Sequence, residues 1–193
     1  MSASRLKRSA VGLAFAIGLS FAGWQGVLAQ AEPPPPEHAK ELYFDAARAG
    51  RVDLLGGLIK AGIDPDLRDP HGYTALILAA YNGQLQAVDF LITKGADPCA
   101  TDPGGNSALM GVAFKGENKV AERLLAEHCD VDATNNAGQT AVMMAALFGR
   151  SDTAKLLIAH GANAAHQDNA GNTAVGLAKQ QGNAEMVTLL GGG

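Results

Sequence analysis

DPHGYTALILAAYNGQLQAVDFLITKGADPCAT, residues 69–101, recurs three more times along the chain, its columns set 33 residues apart. Gly72, Gly105, Gly138 and Gly171 fall in one column. Thr74, Ser107, Thr140 and Thr173 fall in another, and Ala75, Ala108, Ala141 and Ala174 in a third. Further along, Gly83, Gly116, Gly149 and Gly182 coincide, as do Leu91, Leu124, Leu157 and Leu190. A fixed period in this range marks a solenoid, in which each unit buries its apolar face only against its neighbours.

Within the quoted unit, Asp69-Pro70-His71-Gly72 reads as a turn, with Gly72 supplying the positive φ of a tight bend. Thr74 stands where its hydroxyl can cap the first turn of a helix predicted over Ala75–Tyr81, which stops at Gly83. A second helix is predicted over Leu85–Lys94, with Val88, Leu91 and Ile92 on one face and a stop at Gly95. Ala79 and Ala80 are small enough to let neighbouring helices approach closely. Upstream, Gly50 and Gly62 stand one period before Gly83 and Gly95, so a divergent first unit without a front turn occupies residues 38–68. End units are expected to differ because one face meets water. The remaining units run over 69–101, 102–134, 135–167 and 168–193. Gly56-Gly57 lies inside the second helix of unit one, at a cost of ~1 kcal/mol each against Ala, which close packing would offset.

These columns resemble the ankyrin repeat over about residues 38–190. The resemblance implies an all-α solenoid of about five helix-turn-helix units with short β-hairpin or turn fingers. It also implies a non-enzymatic protein-binding module, with a protein partner and no cofactor. One departure is systematic. The family's Thr-Pro-Leu-His tetrad here reads Thr74-Ala75-Leu76-Ile77, Ser107-Ala108-Leu109-Met110, Thr140-Ala141-Val142-Met143 and Thr173-Ala174-Val175-Gly176. With the helix-starting Pro replaced by Ala and the His absent, apolar contacts are expected in place of a polar network between fingers.

Ankyrin-like stacks resemble a cupped hand, and the resemblance places particular columns on its palm. One holds Arg48, Tyr81, Phe114, Leu147 and Gln180; the next holds Ala49, Asn82, Lys115, Phe148 and Gln181. Tyr81, Phe114, Leu147 and Phe148 then form an apolar stripe with polar ends, the composition of an interface core inside a wet rim. Asn82 and Lys115 flank that stripe, and Tyr73 stands among the finger residues. Packing of these aromatics against neighbouring fingers is the competing reading.

Before the repeats, Arg5, Lys7 and Arg8 precede a short apolar run, AVGLAFAIGLSFA, and then Ala29-Gln30-Ala31. This is the pattern of a secretory signal peptide over residues 1–31, cleaved after a small-x-small site at Ala29 and Ala31. The run falls short of the ~20 residues that span a bilayer, so no stable membrane anchor is expected after cleavage. Residues 32–37 begin with Glu32 and four prolines, an extended spacer. The implied location is periplasmic or secreted and bacterial, and the chain is expected to be monomeric. Exported ankyrin-like proteins of bacteria serve in oxidative-stress defence or as immunity proteins against toxins; no residue chooses between them. A net charge of −4, falling to −7 without the three early cations, argues against a nucleic-acid partner.

Cys99 and Cys129 are the two cysteines, and export favours their pairing. A loop of that length would stabilise the fold by about 3–4 kcal/mol on the chain-entropy account. Two buried thiols are the alternative. A metal- or redox-active site using Cys99, His128, Cys129 and His160 lacks the tight ligand spacing of structural zinc sites. Nucleophile-elbow and phosphate-loop patterns are absent from the sequence. The recurring Asp64, Asp97, Asp130 and Asn163 are expected to bond turns, not to do acid–base work.

Overall fold

A computed structural model describes residues 36–191. The signal peptide, its cleavage site at Ala29 and Ala31, and most of the proline spacer lie outside the described residues. Ten helices follow among the described residues: α1 (Glu37–Ala49), α2 (Val52–Lys60), α3 (Ala75–Tyr81), α4 (Leu85–Thr93), α5 (Ala108–Lys115), α6 (Asn118–Leu125), α7 (Ala141–Leu147), α8 (Ser151–Ala159), α9 (Ala174–Gln180) and α10 (Ala184–Leu189). They pair in order into five antiparallel hairpins stacked side by side. Among the described residues no helix is long and apolar enough to cross a membrane.

In units two to five the first helix starts just after a hydroxyl residue. Thr74 Oγ1 accepts the Ile77 N–H at 3.2 Å, Ser107 Oγ the Met110 N–H at 3.3 Å, and Thr173 Oγ1 the Gly176 N–H at 3.1 Å. Each bond satisfies one of the orphan amides of a first turn. Thr140 breaks the series: its hydroxyl is buried without a hydrogen-bond partner.

The odd-numbered helices form an inner row and pack on one another more closely than the even-numbered helices of the outer row do. Alanines cause this, since Ala79, Ala80, Ala113, Ala145, Ala146 and Ala178 are buried in the inner joints with almost no bulk. A stack whose rows differ in spacing curves toward the tighter row, so the inner helices line the concave side. Between the rows lies one continuous core, with Leu76, Leu91, Met143, Leu157 and Met186 fully buried. Tyr43 joins it from α1, its hydroxyl donating to Pro65 O at 3.1 Å. Burial, and then the carboxylates of Asp66 and Asp64, push that phenol well above its ordinary pKa.

The fingers depart from expectation. Apolar contacts do not replace the polar network between them; asparagines rebuild it. Asn136 Nδ2 donates to Pro103 O and its N–H to Gly104 O, at 3.0 and 2.9 Å. One unit on, Asn169 repeats both bonds to Asn136 O and Ala137 O, each at 3.0 Å. Asn135 Nδ2 reaches Asn106 Oδ1 at 2.9 Å, and Arg68 donates across to Thr101 O at 2.6 Å. His166 is half-buried and meets Gly138 O at 3.0 Å. Within each finger an Asp or Asn side chain holds its own turn: Asp69 Oδ1 accepts the N–H groups of His71 and Tyr73, both at 2.9 Å. The fingers are turns without extended strands, and isolated bridges close the first two, Arg68 with Thr74 and Thr101 with Ser107.

Gly56 is explained and Gly57 is not. A Cβ on Gly56 would lie 3.3 Å from the Phe90 ring of α4, so its absence lets α2 and α4 close up. Nothing approaches Gly57, and the structure offers no reason for it.

Candidate functional site

The concave side gathers most of the residues that the palm columns single out. Their backbone position explains why. Ala79 and Ala80 point into the inner joint, so the next residue on α3, Tyr81, emerges at the helix end on the open side; Phe148 does the same just past α7. Each is 41% exposed, and among the described residues they are the two large apolar side chains left in solvent. Phe114 sits between them, half-buried. Its ring stacks on Tyr81 with centroids 5.9 Å apart and 15° between planes, and meets Phe148 edge-on at 4.3 Å. Both geometries are favourable for aromatic pairs. The three rings therefore form one ladder across units two, three and four.

Lys115 completes it. Its Nζ lies 5.0 Å from the Tyr81 centroid, which puts a cation on an aromatic face at an exposed site. Asn82 is exposed beside it and donates from Nδ2 to Leu78 O at 2.7 Å. Leu147 differs from the expectation of an open stripe: it is half-buried and packed against the core. Tyr73 is also half-buried, at the finger end of the groove.

Next to the ladder a cleft of about 580 Å³ opens between α3 and α5 and reaches up to the second and third fingers. Tyr73, Ile77, Tyr81, Met110, Phe114 and Met144 make its walls, and Arg48, Asn82, Asp102 and Asn106 form a polar rim. Arg48 is held there by Asp45 at 2.9 Å and by the nearly buried Asp69 at 3.3 Å. Met110 is buried, yet it and the half-buried Met144 both help to wall the cleft. A signal for the cleft was present in Gly111. It stands inside a helix, in the column of Leu78, Met144 and Leu177, and leaves the room that a longer side chain would take.

Cys99 and Cys129 are joined by a disulfide with Cα atoms 5.5 Å apart, on the loops that leave α4 and α6. The alternative of two buried thiols is overturned. A bonded Cys129 cannot serve as a thiolate ligand beside His128 and His160, and His160 Nδ1 instead lies 2.9 Å from Leu156 O. The recurring acids behave as the turn reading expects: Asp64, Asp97, Asp130 and Asn163 each accept the N–H two residues on, at 2.8 to 3.0 Å.

Chemically, the concave side offers an aromatic ladder, a walled cleft and a rim of amides and charges. That combination suits burial of a partner's apolar side chains, with orientation fixed at the edge. A family model describing three copies of the ankyrin repeat matches residues 42–135 and again residues 109–192. No curated protein matches the chain.

Proposed function

Because this chain belongs to the ankyrin-repeat family, a family of protein-interaction modules, we propose that it grips a partner protein on its concave side across units two to four. The observation that carries the reading is the aromatic ladder. Two rings held in solvent, braced on a third and capped by Lys115, are costly to expose and gain most when a partner covers them. Tyr73, Tyr81, Asn82, Phe114, Lys115, Leu147 and Phe148 are the contacts of this proposal.

The compartment belongs to the same proposal. The basic start, short apolar run and Ala29-Gln30-Ala31 site support export and cleavage, giving a monomeric periplasmic or secreted protein. The disulfide suits such an oxidising space. Oxidative-stress defence and neutralisation of a toxin would both use this face, and the partner's identity separates them.

Capture from the envelope compartment tests the reading. The bait is residues 32–193 and its Tyr81→Ala/Phe114→Ala/Phe148→Ala variant, matched for helicity. One protein held by the parent and lost by the variant is the expected result. Equal capture by both removes the concave face from the account. Mature protein recovered from the cell with Glu32 as its first residue would support export; full-length protein in the cytoplasm would overturn it.

A further inference from the structure

Among the outer joints that link units one to four, one is made differently. Where unit one meets unit two, Asp66 Oδ1 accepts the Asp97 N–H at 2.8 Å; where unit three meets unit four, Asp132 Oδ1 accepts the Asn163 N–H, also at 2.8 Å. One side chain reaching 31 residues forward thus clasps successive helix exits. At the joint between units two and three, the position equivalent to Asp66 and Asp132 is Cys99. No carboxylate is there to take the Asp130 N–H, and the disulfide to Cys129 crosses the gap instead.

The exit of α6 is unusual in a second way. Helices α2, α4 and α8 each run nine residues and close on a glycine at positive φ, Gly62, Gly95 and Gly161. Behind each glycine a backbone bond seals the turn: Ile63 N–H to Leu58 O at 3.1 Å, Ala96 N–H to Leu91 O at 3.0 Å and Ala162 N–H to Leu157 O at 3.0 Å. This is the helix-ending geometry that glycine makes cheap. In unit three the column holds His128, α6 stops one residue early, and the Cys129 N–H makes no such bond. Ile63, Ala96 and Ala162 are buried, whereas Cys129 in the same column is only half-buried. Both noncovalent devices that close the exits of α4 and α8 are therefore missing at this one, and the covalent bond stands in their place.

We infer that Cys99–Cys129 is a reducible clasp of the outer joint between units two and three, open to exchange with a dithiol. Cys99 is the more exposed of the two residues and is taken as the sulfur that an incoming thiolate attacks. Attack there forms a mixed disulfide and expels the Cys129 thiolate, which takes up a proton. The second thiol of the reductant then closes its own disulfide and releases Cys99 as a thiol. Two electrons pass to the clasp, and the dithiol is oxidised. Reduction leaves residues 126–132 with neither glycine seal nor aspartate clasp, while the joints between units one and two and between units three and four keep both.

The test is amide hydrogen exchange of the folded chain, oxidised and then reduced with dithiothreitol. Exchange over residues 126–132 should rise about tenfold or more on reduction, while residues 159–166 stay unchanged. Cys99→Ser/Cys129→Ser should match the reduced protein. A Cys99→Asp/His128→Gly/Cys129→Ala variant, rebuilt to resemble the other joints, should restore protection and ignore dithiothreitol. Protection over 126–132 that is unaffected by reduction would overturn the inference. So would a rebuilt variant as labile as the serine pair.

Discussion

The inner and outer rows share one period but are joined by different physics. Inner joints are alanine against alanine, dry and close. Outer joints are looser and bridged by polar groups: Arg123 of α6 reaches Asp89 of α4 at 2.7 Å, Thr153 of α8 donates to Asn118 of α6, and Asp66 and Asp132 clasp loops. The inner row already has its close joints in the buried alanines. The positions on its open side are therefore free to carry Tyr81 and Phe148, and the aromatics gather there. The outer row spends its variable positions on holding itself together.

The largest test of that contrast is bulk. Ala113→Leu, in the middle of the inner row, should destabilise by about 2–3 kcal/mol through overpacking, whereas Ala159→Leu at the exposed end of α8 should change stability by less than about 0.5 kcal/mol. Urea unfolding of both variants checks this. Equal effects would break the distinction between rows.

The helix starts of the inner row sharpen it next. Thr74→Val removes the bond to Ile77 N–H and should cost about 1 kcal/mol. Thr140→Val removes a buried hydroxyl that has no partner and should be neutral or stabilising by up to about 1 kcal/mol. The same substitution at equivalent positions is expected to differ in sign or nearly so.

In the outer row, Arg123→Ala should cost only about 0.5 kcal/mol at low salt, and less as salt rises, since its pairs with Asp89 and Glu127 are partly exposed. A loss of several kcal/mol would mean that the outer bridges carry the stack.

The smallest effect concerns the last finger. Hydrogen bonds from the Asn172 side chain, and then from the Asn172 N–H, hold the Asp168 carboxyl below the usual carboxylate range. A depressed folded pKa contributes stability that is present above the unfolded pKa and is lost as pH falls through the folded one. The melting temperature should therefore drop on acidification below about pH 4, and Asp168→Asn should make that drop shallower. An identical pH profile for the variant would contradict the assignment.

What was legible in the sequence follows from what repeats. Helix α3 begins and ends at the residues predicted, and α4 ends one residue early at Thr93, because capping hydroxyls and stop glycines act within a few residues of themselves. The cysteine pair was legible from the export-like start of the chain, which favours pairing of its two cysteines. Side-chain contacts one period away were harder to read. The asparagine ladder between fingers depends on how far an amide reaches across about one repeat, which column membership does not encode. Leu147 was read as part of an open stripe because it shares a column with Tyr81. A leucine at that helix end folds back onto the core, while the larger rings of Tyr81 and Phe148 extend past it. The cleft was missed because Gly111 was not weighed as an absence of bulk.

One measurement addresses the concave face directly: a photo-cross-linking amino acid placed at Phe148 and, separately, at Glu122 on the exposed side of α6, in the full chain expressed in its host. The account predicts a discrete cross-linked adduct from position 148 and none from position 122. An adduct from 122 alone, or the same adduct from both, would contradict the claim that the aromatic ladder is where the partner sits.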